Sequence, residues 1–479
     1  MTVILLAGSQ DGWAQRLTLD PSLERRVDST ALAAPGVEYE VGVGMGTSRI
    51  ENSQGDAVRY TMFSFMPEVY YGDFGVGFLL NIRARATEGV RQEDFDSAGD
   101  ILSLLRFVEY GEPGRTGTYV RFGMLEEATL GYGQHIDLYA NTLRLDDPER
   151  GLRVDVNTGA YRVEGVLGSL ADPGVFGIRG SYRPLPEDTV AWRQRLILGA
   201  SLSGDLSTEG ARINASTPGD PFFVGERPFR DQAPAFDLQP GQRDPRLFMV
   251  GLDLGLQMVR SREASVIGYV EASKIINYGV GLGVGVEGTR RFDGGHRLQG
   301  RVAQHVLGAR FLPSYFGPVY EIERLRALRI PLGSGEPIDV LDSKRNVLAG
   351  QTGIRWQSHL SGQWHYNRML RVIGSYEHIW NQPYSGWFHL DARLRSPRLP
   401  VYLRFIYDRL NVGAFNELTD VEEENTLVRL GFAYKVIRFA LLGFDYRQSF
   451  EPRFEEGLLV GRARRQRIEP YVQLILRIQ

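Results

Sequence analysis

The chemistry available to this chain is poor in nucleophiles and rich in guanidinium groups. Cysteine is absent, which removes disulfides, thiol catalysis, thiolate metal sites and c-type haem attachment together. The seven histidines, His135, His296, His305, His359, His365, His378 and His389, make no H-E-x-x-H pattern and no close metal-ligand spacing. His389 and Asp391 share one side of a run with strand period, as an acid–base pair requires, but that spacing is ordinary on a polar wall. A formal G-x-G-x-x-G falls at Gly283, Gly285 and Gly288. The TRRFDGGHRLQ that follows reads as a turn into another strand, not as the helix whose N-terminus would hold a pyrophosphate. No G-x-S-x-G elbow is present. No residue set nominates an enzyme, and the expectation is a protein without catalytic residues, metal or cofactor.

The arginines belong to a pattern that can be read, and the hairpin Thr426 to Tyr446 shows it. Val428, Leu430, Phe432, Tyr434 and Val436 alternate with Leu427, Arg429, Gly431, Ala433 and Lys435, which is strand period. The return run from Phe439 does the same. Folding the two together sets Tyr434 opposite Leu442, Phe432 opposite Phe444 and Leu430 opposite Tyr446. One face is apolar and aromatic, and the other carries Arg429, Asp445 and Arg447. A soluble sandwich would turn the apolar face to a core, whereas a closed barrel in a bilayer would turn it to lipid.

The same two-faced strand recurs from Val37 onward. Val37 to Met45, Val58 to Tyr70 with a break expected at Pro67, and Val76 to Ile82 come first. Ser97 to Tyr110, with Ile101, Leu104, Leu105 and Val108 at i, i+3, i+4 and i+7, reads as a short amphipathic helix. Strands resume at Tyr119 to Leu125 and, through the glycine- and tyrosine-rich TLGYGQHIDLYANTLRL, from about His135 to Leu143. Further half-apolar runs lead to Leu202, where a long connection without period spans about Ser203 to Arg243. In NYGVGLGVGVEGT, Tyr278, Val280, Leu282, Val284 and Val286 alternate with bare glycines, which leave room at the wall for an inserted loop or permit strong strand coiling. A third long connection, about Gly308 to Gly350, contains Gly317-Pro318 followed by a helix start at VYEIERLRALRI. The rest is a meander with connections alternating long (about 449 to 465), short (437 to 439), long (411 to 425) and short (397 to 399).

Bulk composition is compatible with this. Apolar residues make up 43% and charged residues 24%, and no uncharged apolar run is long enough for a membrane helix, as a barrel with a polar lumen requires. Net charge is −3, so no global basic field argues for nucleic acid. The N-terminal VILLA followed by GSQDGWAQ reads as the tail of a signal peptide cleaved after Ala14.

On these grounds the chain resembles the transmembrane β-barrels of Gram-negative outer membranes, in the broad porin-like class. The resemblance covers Val37 to Gln479 and rests on pattern, not on a motif. The last run, YVQLILRIQ, alternates correctly but lacks the terminal aromatic residue such proteins usually carry. The implied fold is all-β: one antiparallel transmembrane meander barrel of about 18–20 strands, with short periplasmic turns, long extracellular loops and two short helices. The expected division is 1–14 signal peptide, 15–35 periplasmic segment and 36–479 barrel.

With the apolar parity facing outer-membrane lipid, the other parity lines a lumen. It carries Arg179, Arg195, Arg297, Arg301, Arg355, Arg371, Arg393, Arg395, Arg404, Arg429, Arg447 and Arg477 against Asp253, Glu271, Glu287, Glu377, Asp391, Asp408 and Asp445. The expected pore-lining set is Arg179, Arg195, Arg301, Arg355, Arg371, Arg393, Arg429, Asp445 and Arg447. Two functions fit. One is a channel for small polar or anionic solutes, since fixed guanidinium groups concentrate anions. The other is a plugged barrel whose arginine–carboxylate ladder holds its shape and whose long loops bind partner proteins.

Overall fold

Period-two alternation produces a sheet that closes on itself. The computed structural model describes residues 37–478 apart from 52–56, 86, 88, 92–103, 112, 114–115, 143–148, 171–173, 185–194, 207, 209–245, 262, 331–337, 368, 396–399, 420–424, 438–439 and 456–457. The expected signal peptide and periplasmic segment lie outside the described residues, as does most of the connection after Ser203. The first strand, Val37–Glu51, pairs antiparallel with Ala57–Tyr71 on one side and with the last, Leu458–Ile478, on the other. Each intervening strand pairs antiparallel with its neighbours in the chain, and twenty strand positions make the wall. Tyr39 stands opposite Ile478, so the first and last strands meet at one rim.

Two of the twenty positions are composite. Phe74–Phe78 and Leu80–Arg85 are halves of one strand against Ala57–Tyr71, separated at Leu79. The break expected at Pro67 falls instead in this neighbour: Ala57–Tyr71 runs through its proline, and the ladder lapses where Met66 and Pro67 face Phe78 and Leu79. Proline has no N–H to give, so its own strand continues while the next one loses its bonds. The next position is shared by Gly89–Val90 and Leu105–Tyr110.

That last strand corrects the helix expected over Ser97 to Tyr110. Residues 97–103 lie outside the described residues, and Leu105–Tyr110 pairs with Phe74–Phe78 and Gly117–Gly123. Closing the sheet satisfies the backbone of Leu105–Tyr110 in a way a surface helix would not satisfy its neighbours, and the wall overrides the local apolar period. Two other expectations change. After Gly317-Pro318, only Tyr320–Glu323 is helical, and Leu325–Ile330 pairs with Ile338–Ser343 as a separate two-stranded ribbon. The second short helix is Lys344–Ala349. The long connection expected at 449 to 465 is a continuation of strands Ala440–Glu455 and Leu458–Ile478.

The register expected for the Thr426 to Tyr446 hairpin is the one observed, with Tyr434↔Leu442, Phe432↔Phe444 and Leu430↔Tyr446. Phe432 and Phe444 meet with ring centroids 5.8 Å apart. The faces are sorted inside out relative to a soluble protein. Along Val280–Phe292 the large apolar residues Val280, Leu282, Val284 and Val286 are exposed, and the glycines between them are buried. Leu252 is 68% exposed, beside Asp253, which points inward. A belt of exposed valine, leucine and aromatic side chains around a closed antiparallel wall is the outer surface of a membrane barrel. The substitution Leu252→Arg is therefore expected to cost about 2–4 kcal/mol if the side chain lies near the bilayer midplane, measured as the unfolding free energy of the barrel refolded in lipid vesicles; a cost within a few tenths of zero would place this face in water.

Candidate functional site

The interior is built around the segment 124–142, which leaves the wall at the end of Gly117–Gly123. The strand expected from about His135 to Leu143 is not formed. The segment turns back on itself through an isolated bridge between Ala128 and Tyr139 and makes a second, parallel, bridge from Ile136 to Phe316. Backbone bonds from Asp137 N to Phe316 O (3.1 Å), Phe316 N to His135 O (3.1 Å) and Ser314 N to Gln134 O (2.7 Å) tie it to the connection after Leu307. Both segments are thus inside the barrel, and they satisfy each other's backbone there.

An apolar core fixes this arrangement. Leu125, Ala128, Leu130, Ile136 and Tyr139 pack with Phe311, Leu312, Tyr315, Phe316, Tyr320 and Leu348, and against the inward-facing wall residues Val175, Leu247, Met249, Ile275, Leu307 and Ile379. The wall makes room with glycines. A Cβ on Gly281 would lie 2.2 Å from Phe311 Cε1, and one on Gly177 would lie 2.5 Å from Cδ1 of both Ile136 and Leu130. The glycine face read in the sequence as space for an inserted loop is used in that way. Two of the tyrosine hydroxyls in this core are paired with carboxylates. Tyr139 donates to Glu321 Oε1 at 2.6 Å and Tyr320 to Asp205 Oδ2 at 2.6 Å. Burial, reinforced by those carboxylates, raises the pKa of both hydroxyls well above the usual tyrosine range, so they remain donors.

Beside the core lies a polar layer. Tyr132 stacks on Tyr269 with centroids 4.0 Å apart, and the Arg179 guanidinium lies 5.5 Å from the Tyr132 ring. Arg179 makes a two-pronged contact with Asp253 (2.9 and 2.8 Å) and a third bond to Glu164 at 2.7 Å. Arg301 pairs with Asp137 of the inward segment and donates to Tyr132 O. His135 is held between Ser203 (2.9 Å from Nδ1) and Ser273 (2.8 Å from Nε2). Further round the wall, Glu127 pairs with Arg371 and Arg393, and Glu126 with Arg393 and Arg404.

These contacts complete the description of the barrel's two surfaces, one apolar and turned to lipid, one charged and turned inward. The chain is a closed 20-strand antiparallel β-barrel with the two-faced wall of a membrane-spanning barrel. No family model matches it, and no curated protein does. Among solved structures, Pseudomonas aeruginosa OccK11 (OpdR) is 10% identical with a TM-score of 0.31, over 92% of this chain and 96% of that one. P. aeruginosa OccK2 (OpdF), solved in complex with glucuronate, is 10% identical with a TM-score of 0.29 over 94% and 99%. Acinetobacter baumannii OccAB4 is 7% identical with a TM-score of 0.30 over 93% and 99%. The superpositions are too loose to transfer a residue or a ligand.

Of the nine residues expected to line a pore, Arg179, Arg301, Arg355, Arg371, Arg393, Arg429, Asp445 and Arg447 lie on strands of the wall, and Arg195 lies just outside Leu196–Asp205. Their surroundings differ. Arg179, Arg301, Arg393 and Asp445 are buried, and Arg195, near the rim, is exposed and donates to Met258 O at 3.3 Å. Arg355 donates to Phe311 O (2.8 Å) and Gly308 O (3.2 Å), bracing the root of an inward connection. Arg429 and Arg447 converge on Asp445 at 2.9 and 3.3 Å. His389 and Asp391 make no acid–base pair: His389 Nδ1 is 2.8 Å from Asp408, and Asp391 receives Arg393.

The sequence reading missed the carboxylates of the inward segment, and with them a cluster. Asp137, His359 and Glu377 bring their ligand atoms within 4.8 Å of one another, a spacing suited to a metal ion. The positive charge there is already supplied by Arg301, which pairs with Asp137 and comes within 3.4 Å of His359 Nε2. Asp137 also accepts a bond from Thr129 Oγ1 at 3.1 Å. The cluster is an ion-paired joint between segment and wall.

Burial lowers the His135 pKa from the usual 6.5 to about 4. The neutral ring is the form the folded segment accepts, so its contribution is complete above pH 6.5 and is lost as pH falls through that value toward 4. Wild-type barrel should lose about 3 kcal/mol of unfolding free energy over that interval beyond what the His135→Gln variant loses. Parallel pH profiles of the two proteins in denaturant titrations would contradict this.

Proposed function

We propose that the barrel is an outer-membrane channel for small polar or anionic solutes, and that the arginine-bearing inner wall gives them their route. The observation that carries this reading is the row Arg371, Arg393 and Arg404, which stand directly opposite one another on three adjacent strands. Like charges in cross-strand register repel and are retained only where anions answer them. Here carboxylates do so: Asp391 of the wall, and Glu126 and Glu127 from the inward segment. Three guanidinium groups arranged to hold several carboxylates at once form recognition chemistry for carboxylate solutes, because each planar fork fixes both charge and geometry.

A second reading is supported by a different observation. The apolar core joining 124–142 to Phe311–Tyr320 and Leu348 occupies the interior against six or more wall residues. A barrel filled this way serves as a scaffold, with its extracellular connections as the surface offered to protein partners.

Conductance separates the two. Purified barrel added to a planar lipid bilayer should give discrete current steps, with a reversal potential displaced toward the anion under a salt gradient. Silence across many insertions, with incorporation into the bilayer verified independently, would overturn the channel and leave the scaffold.

A further inference from the structure

Glu126 and Glu127, like Asp137, come from the inward segment and not from the wall. Asp391, Asp445, Glu164 and Asp253 project from the same wall as the arginines they serve. Glu126 and Glu127 arrive from across the barrel: the segment leaves the wall at Gly117–Gly123, the fifth strand position of twenty, whereas Leu370–Trp380 is the fifteenth. They interleave with the arginine row. Glu127 touches Arg371 and lies 3.2 Å from Arg393, and Glu126 lies 3.4 Å from Arg393 and 3.2 Å from Arg404. Two carboxylates thus bridge three guanidinium groups in sequence.

Their backbone is fixed. Leu125 before them and Ala128 after them are 2% and 1% exposed and belong to the apolar core. Leu125 N donates to Asn141 Oδ1 at 2.8 Å, and Ala128 exchanges backbone bonds with Tyr139 at 2.9 Å. Their side chains are less enclosed. Glu126 and Glu127 keep 15% and 16% of side-chain exposure, against 4% for Asp137 in its pair with Arg301. Water reaches the glutamate side of these pairs and Arg371 at 15%, with Arg393 and Arg404 behind them at 8% and 2%, so the carboxylates can be exchanged for others at lower cost than in a pair sealed on both sides.

We propose that Glu126 and Glu127 are resident occupants of a carboxylate-binding site formed by Arg371, Arg393 and Arg404, and that a small dicarboxylate binds there by displacing their side chains. This rests on the channel reading for its role in transport, and deepens it by naming the solute class and the residues that tune its affinity. The exchange is carboxylate for carboxylate: a solute with two carboxylates takes over the bridging contacts, the two glutamate side chains rotate into the lumen water, and the backbone of the segment stays on its core. The glutamates therefore weaken binding. They set the site to release its solute, which conduction through a selective site requires.

The test is calorimetric titration of succinate into detergent-purified barrel. The double variant Glu126→Gln, Glu127→Gln, which keeps side-chain size and removes the competing charge, should bind succinate about tenfold more tightly than wild type, with Glu127→Gln alone in between. Adding Arg393→Gln to the double variant should abolish the gain. Equal succinate affinity in wild type and double variant would overturn the inference, as would a gain that survives Arg393→Gln. The titration needs no current, so a silent bilayer overturns the channel reading without deciding this one, and a conducting wild type with unchanged succinate affinity does the reverse.

Discussion

A guanidinium group stays charged at every pH a cell surface meets, so an arginine turned into a barrel must find an anion or water. This requirement organises the interior. On one side the wall answers its own arginines, as where Arg179 is shared by Glu164 and Asp253. At the Arg371, Arg393 and Arg404 row three positive groups face one another across adjacent strands, and two of the carboxylates that answer them belong to a segment rooted ten strand positions away. Charge neutralisation and the inward course of 124–142 are therefore one structural event. The apolar core sets where the segment rests, and the ion pairs set where its carboxylates point.

The wall is shaped to admit that segment. Leu105–Tyr110, Gly117–Gly123, Gly151–Asn157 and Tyr161–Leu167 have six or seven residues each, while Leu247–Arg260 has 14. Where strands are short the chain leaves the sheet early and turns inward. The long strands carry glycines and small polar residues against which it packs: Gly251 beneath His135, and Ser203 and Ser273 either side of that ring. A neutral histidine between two hydroxyls is satisfied at both ring nitrogens without bringing a charge into the core, which explains why burial is tolerated there.

What the sequence made legible was whatever depends on local alternation. The burial of Arg179, Arg301, Arg393 and Asp445 on the inner side, the exposed apolar belt and the register of the Thr426 to Tyr446 hairpin follow from period two and a short turn. The inward segment was not legible, because consecutive side chains in it answer to different surroundings. Gln134 and His135 meet wall serines, Ile136 enters the apolar core and Asp137 meets Arg301, so TLGYGQHIDLYANTLRL has no period to find. One signal was present all the same. The wall parity held more arginines than carboxylates, and guanidinium groups turned inward must be answered by anions or water. Glu126, Glu127 and Asp137, from a connection, are three of the acids that answer them. The helix expected at Ser97 to Tyr110 failed for the opposite reason: a genuine local period yielded to the need to pair every backbone group of the wall.

The interior ion pairs divide by their access to water, and the division bears on function. Arg301 and Asp137, with side chains 9% and 4% exposed, join the segment to the wall where no solvent can compensate their separation. Removing either partner there strands a buried charge, so the joint acts as structure. The Arg371–Glu127 pair is 15% and 16% exposed, and water or a solute can stand in for the glutamate. A constriction needs both kinds of contact. If all its pairs were sealed the barrel would be a scaffold with a charged core, and if all were wet the segment would not hold its course across the lumen. The joint at Arg301 holds the segment on the wall, while Glu126 and Glu127, at 15% and 16%, keep their access to water beside Arg371.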